Sequence, residues 1–135
     1  MYIKKILEYS YNYADYIVSD GVKELKCMCI SVPLPDDKEP QIGMEVLRIY
    51  AFAVNRIDII KITNENQKNY KISNQIFNYF KYKLRGKIID CKQAIVQVFD
   101  FTIRLEWEYP NGFSEEFQNG DFIEFEVDRL DCEII

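Results

Sequence analysis

The chain contains no histidine, and this absence removes more chemistry than any other. Histidine is the side chain most often used to carry a proton near neutral pH. Nucleophile pairs of the Ser-His and Cys-His kind are therefore excluded. Glycine is scarce, five residues in 135. A flexible low-complexity chain is excluded, and there is no Gly-rich phosphate loop or dinucleotide fingerprint. Long apolar runs are also missing. The opening MYIKKILEYSYNYADY has two lysines with no apolar stretch behind them. Neither a signal peptide nor a membrane span is expected, and a cytoplasmic location is. The four cysteines, Cys27, Cys29, Cys91 and Cys132, are then expected as thiols. Cys27-Met28-Cys29 is too tightly spaced for a zinc knuckle, which needs a turn between its sulfurs. These residues read as core filler, and no metal or other cofactor is expected.

What the chain does have is aromatic and alternating. Aromatics make up 15%, with ten Tyr and nine Phe, and period-2 patterns recur where helical ones do not. Phe80, Tyr82 and Leu84 alternate with Lys81, Lys83 and Arg85. In FTIRLEWEY, Ile103, Leu105, Trp107 and Tyr109 alternate with Arg104, Glu106 and Glu108. In DFIEFEVD, Ile123, Phe125 and Val127 alternate with Glu124, Glu126 and Asp128. One apolar and one charged edge per strand is the pattern of a half-buried antiparallel sheet.

The pattern also repeats. ADYIVSD (14–20) matches AIVQVFD (94–100), and ELKCMCI (24–30) matches FTIRLEW (101–107). Gly43 before VLRIYAFAV matches Gly120 before FIEFEV, with four extra residues in the first copy. VNRID (54–58) and VDRLD (127–131) then fall into register. Strand, turn, strand, loop, glycine and strand in the same order argue for an internal repeat. The reading is an all-β chain of two tandem, small antiparallel barrel-like units of the oligonucleotide/oligosaccharide-binding (OB) kind. The units are 1–66 and 67–135, packed together or continuous as one domain, since about 60 residues make a marginal fold alone. The string ADYIVSDG, ELKCMC, IYAF and NRI, followed by GKIID, AIVQV, IRLE and GDFIEFEVDRLDC, also resembles a group of small bacterial all-β proteins of unassigned activity. That resemblance implies a fold and no reaction.

The charge is acidic overall, net −5, and segregated. Residues 68–92 hold seven Lys or Arg against Asp90 alone, and residues 100–135 hold eleven acids against Arg104 and Arg129. Lys81, Lys83, Arg85 and Lys87 point one way from one strand. Cations with nearby aromatics can bind single-stranded nucleic acid. Here the aromatics face away, and Glu106, Glu108, Glu124, Glu126 and Asp128 are expected to face outward on strands of the same unit. A ladder of opposite charges is the favoured reading. Tyr9, Tyr11 and Tyr13 share a strand face, and either a partner-binding patch or a seal between the units fits them. The Arg-Asp spacing in VNRID and VDRLD puts both side chains on one strand face, and it reads as structural pairing. An enzyme built on paired carboxylates would need buried acids in a pocket. The function expected is a non-catalytic module whose acidic face (Glu106, Glu108, Glu124, Glu126, Asp128) meets a basic protein partner. The alternative is single-stranded nucleic-acid or oligosaccharide binding through Lys81, Lys83, Arg85, Lys87, Tyr9, Tyr11 and Tyr13. No membrane partner is expected.

Overall fold

A computed structural model describes residues 1–10, 13–29, 40–74 and 81–134. They form eleven strands: β1 (Tyr2–Ser10), β2 (Tyr13–Ser19), β3 (Glu24–Cys29), β4 (Val46–Phe52), β5 (Ile60–Lys61), β6 (Lys71–Asn74), β7 (Tyr82–Asp90), β8 (Ile95–Val98), β9 (Phe101–Arg104), β10 (Phe122–Val127) and β11 (Arg129–Ile134). The only helical element described is a 3-10 turn, Glu65–Gln67. No helix among the described residues is long and apolar enough to cross a membrane.

The all-β class holds. The two barrel-like units do not, because the strands form one open mixed sheet in the order β1-β2-β3-β11-β4-β9-β8-β7-β10-β5, with β6 attached to β7. Each half of the chain opens with a three-stranded antiparallel meander, β1-β2-β3 and β7-β8-β9. Each meander ends on an open strand edge, and the return strand of the other half fills it. β4 runs parallel to β9, and β11 runs parallel to β3. β4 and β11 pair antiparallel between the two meanders. Alternation in a sequence says which face of a strand is buried, not which neighbour fills its edge.

The repeat is visible in the hydrogen bonds. Gly43 and Gly120 have φ of +94° and +95°, a conformation that favours glycine. The Gly43 N–H donates to Ile3 O at 2.8 Å, and the Ile3 N–H to Met44 O at 2.9 Å. The Gly120 N–H donates to Ile88 O, and the Ile88 N–H to Asp121 O, both at 2.8 Å. The two hairpin turns also meet, where the Asp100 N–H donates to Asp20 Oδ2 at 3.3 Å.

Burial follows the match between β2 and β8: Ala14, Tyr16 and Val18 are sealed, and so are Ala94, Val96 and Val98. Between β3 and β9 the match is one residue out. Leu25, Cys27 and Cys29 are the counterparts of Phe101, Ile103 and Leu105. The cause is the turn. Residues 20–23 separate β2 from β3 and only Phe99–Asp100 separate β8 from β9, so the pairings Ser19–Glu24 and Val98–Phe101 are spaced differently.

VNRID and VDRLD are not equivalent positions. The first lies in an irregular segment outside the ladder, with bends at Val54 and Asn55, and the second spans the junction of β10 and β11. They touch, however: the Val54 N–H donates to Asp128 Oδ2 at 2.6 Å. A single apolar cluster containing Tyr16, Leu25, Ile49, Leu84, Phe101, Ile103 and Phe125 runs through both halves. Each such side chain contributes about 1.5–3 kcal/mol on burial.

Candidate binding surface

The basic stripe lies where the alternation puts it. Tyr82, Leu84 and Ile88 of β7 are buried, while Lys83, Arg85 and Lys87 face outward. Tyr82 reaches across the molecule and accepts the Lys26 N–H on its phenol oxygen at 2.8 Å. β10 runs beside β7 with Glu124 opposite Arg85 and Glu126 opposite Lys83. Glu124 holds Lys83 at 3.0 Å and Arg85 at 3.2 Å, and Asp128 lies 3.6 Å from Lys81. Burial raises the Glu124 carboxyl, but the hydrogen bonds from Lys83 and Arg85 outweigh it and hold the group below the ordinary value of 4.5. Arg85 also donates to Gln67 O and Asn69 Oδ1. Of the four cations, only Lys87 has no ion pair among the described residues.

The expected acidic face divides in two. Glu124 is committed to Lys83 and Arg85 of β7, Asp128, just past β10, is committed to Lys81, and Glu126 is exposed on β10. Glu106 and Glu108 are not on a strand at all, because β9 stops at Arg104. The Glu108 and Tyr109 N–H groups both donate to Leu105 O, turning the chain out of the sheet. Trp107 swings outward and stacks on Tyr50, with ring centroids 4.5 Å apart and planes within 1°. Glu106 stays 3.8 Å from Arg104. The loop that begins here, 105–121, carries Glu106, Glu108, Glu115, Glu116 and Asp121 and no Lys or Arg.

This loop is firmly placed. Tyr109, Phe113 and Phe117 pack in series, with ring centroids 5.2 and 6.1 Å apart. The Phe113 N–H donates to Cys91 O at 2.9 Å, and the Cys91 N–H donates to Asn119 Oδ1 at 2.7 Å. Gly112 has φ +83°, and a Cβ there would lie 2.6 Å from Lys92 O.

Facing the loop is the segment that holds VNRID. The Asp128 N–H donates to Phe52 O, and Ile60 pairs with Glu124. Between those two rungs β10 has residues 125–127 and the other side has 53–59. The segment bows away as a strap pinned by side chains. The Ile57 N–H donates to Glu108 Oε1 at 3.2 Å, and the Tyr109 hydroxyl donates to Ile57 O. Ile57 is sealed beneath it, while Arg56 and Asp58 pair with each other on the outside at 2.7 Å. A cleft of about 630 Å³ opens between strap and loop, lined by Asp58, Glu108 and Glu116 and by Tyr109, Phe113 and Phe117. Burial raises the Tyr109 phenol above its ordinary value, and the charges of Asp58 and Glu108 raise it further against Arg56.

The other expected residues fall elsewhere. Tyr9 and Tyr13 are on β1 and β2, with the expectation about their side chains outside the described residues, as is Tyr11. In VDRLD, Arg129 donates to Asp131 Oδ1 at 2.7 Å and lies over the Phe52 ring at 4.1 Å. Asp131 is sealed, and burial raises its carboxyl above 3.8 despite Arg129. The crossing of β11 onto β3 makes Cys132 the neighbour of Cys29, and contact with Cys27 pushes its thiol far upward. Among the described residues no group of three or more His, Cys, Asp or Glu side chains is disposed to hold a metal ion. The aromatic cleft and the strap were not read from the sequence, where VNRID passed for strand. Comparison with protein-family models, with curated proteins and with solved structures finds no match to the chain in any of the three.

Proposed function

We propose that the protein is a non-catalytic binding module that docks a basic protein partner on the 105–121 loop. One observation carries this reading: of the five carboxylates on the loop, which holds no cation, Glu108, Glu115 and Glu116 have no ion pair among the described residues, whereas Glu124 and Asp128 are already matched by Lys83, Arg85 and Lys81. A rigid surface with one sign of charge steers an oppositely charged partner and selects against others. The paired state of Lys81, Lys83 and Arg85 weighs against a phosphate-binding stripe, because those contacts would have to be broken first.

The test is affinity capture with the parent protein and with a variant carrying Glu106→Gln, Glu115→Gln and Glu116→Gln. A partner held by the first, lost from the second and released by salt supports the proposal. Equal retention by both proteins overturns it.

A second reading, oligosaccharide or single-stranded nucleic-acid binding, draws on the half-exposed Trp107 stacked on Tyr50 beside Arg48. Aromatic faces of this kind stack on bases. Trp107 is the only tryptophan, so its fluorescence during titration with a short oligonucleotide or oligosaccharide at low salt decides this reading. An unchanged signal removes it.

A further inference from the structure

We infer that the cleft between the 53–59 strap and the 105–121 loop is a receptor for one cationic side chain, a lysine or arginine of the protein partner. The inference rests on the proposal of a basic partner and names where its key residue seats. Three features converge on it. The walls are aromatic: Phe113 is nearly sealed between Tyr109 and Phe117, which are half-buried and keep part of each ring toward the cleft. Aromatic faces attract ammonium and guanidinium groups, more strongly where water is thinned. The rim is anionic: Asp58, Glu108 and Glu116 line it, and the one cation among the lining residues, Arg56, is spent on Asp58. Neither Glu108 nor Glu116 has an ion pair among the described residues.

Third, the central carboxylate is held in place before any ligand arrives. Glu108 Oε1 accepts the Ile57 N–H, which fixes the side chain and leaves Oε2 as the open acceptor. The neighbouring Tyr109 is fixed by its own bond to Ile57 O. Groups already held in their bound geometry lose little entropy on binding. An anionic ligand would meet Glu108 and Glu116, neither of them neutralised by a cation, and a neutral apolar one would desolvate Glu108 Oε2 without a partner.

The test uses the full chain and three capped tripeptides, Gly-Arg-Gly, Gly-Lys-Gly and Gly-Gln-Gly, followed by amide NMR at low salt. The expected result is saturable shifts at Ile57, Tyr109 and Phe117 with the Arg and Lys peptides and none with Gln. Glu108→Gln keeps an oxygen for the Ile57 N–H and removes only the charge. It should weaken the Arg peptide by about tenfold or more, as loss of a charge-assisted hydrogen bond implies, with the spectrum otherwise unchanged. Phe117→Leu should weaken binding of the cationic peptides with Glu108 intact.

Shifts of equal size with the Gln peptide, or no saturable shift with the Arg peptide, would overturn the inference. Failure here is separable from failure of the docking proposal. If Glu108→Gln leaves capture of the partner intact while a variant carrying only Glu106→Gln and Glu115→Gln, which spares the cleft, abolishes it, the loop docks the partner and the cleft is not its receptor.

Discussion

Glu124 and Asp131 are both acids on strands, and their environments drive them in opposite directions. Glu124 sits below its ordinary value because Lys83 and Arg85 reward its charge over the cost of burial. Its contribution to stability is complete above about 4.5 and is lost as pH falls through the lowered native value. Glu124→Gln should therefore cost about 1–2 kcal/mol at neutral pH and almost nothing in strong acid, as urea unfolding at the two pH values would show. Asp131 is raised by burial, which Arg129 only partly offsets. The native state favours its protonated form, so its effect is stabilising in acid and is lost as pH rises from 3.8 through the raised native value. Asp131→Asn should remove this slope while keeping an oxygen for Arg129. The stability of the parent relative to this variant should fall across that window, measured by the same unfolding curves. Neither environment can be read from residue type, since both acids stand in the same alternating context of DFIEFEVDRLD.

Strands were legible where local pattern settles them and illegible where a neighbour does. Ala14, Tyr16 and Val18 and their counterparts Ala94, Val96 and Val98 were matched correctly because one strand face alternates without interruption. β3 and β9 were matched one residue out because turn length, not strand pattern, sets register across a hairpin. FTIRLEWEY continues to alternate through Tyr109, yet the strand ends at Arg104 because Leu105 O is taken by two N–H groups of its own turn. The cleft stayed hidden for the same reason, since its walls come from two segments about fifty residues apart. β7 offers a direct test of how closely the elements pack. A Cβ on Gly86 would lie 2.3 Å from Gln97 O, 2.7 Å from Val98 Cγ2 and 2.8 Å from Val96 Cγ1. Gly86→Ala must push β8 away and should cost about 3 kcal/mol, near the upper end for overpacking. Thermal unfolding monitored by circular dichroism measures it. A change within experimental error would mean that the β7–β8 pair is loosely held.

At the scale of the whole molecule, the exchange of β4 and β11 between meanders sets the unit of folding. Fragments 1–66 and 67–135 each leave a meander edge empty, because the strand that fills it belongs to the other fragment. Neither fragment should unfold cooperatively alone, and an equimolar mixture should recover the β-sheet spectrum and a single transition. A sharp transition in either isolated fragment would show that the crossing is dispensable. The same crossing bears on how the chain matures as it is made. Residues 129–134 are translated after every other described strand, yet they occupy the middle of the sheet. The first meander must wait beside the ribosome with its inner edge uncovered until those residues emerge. A pause late in translation would lengthen the interval in which that edge is open to a chaperone or to a neighbouring nascent chain.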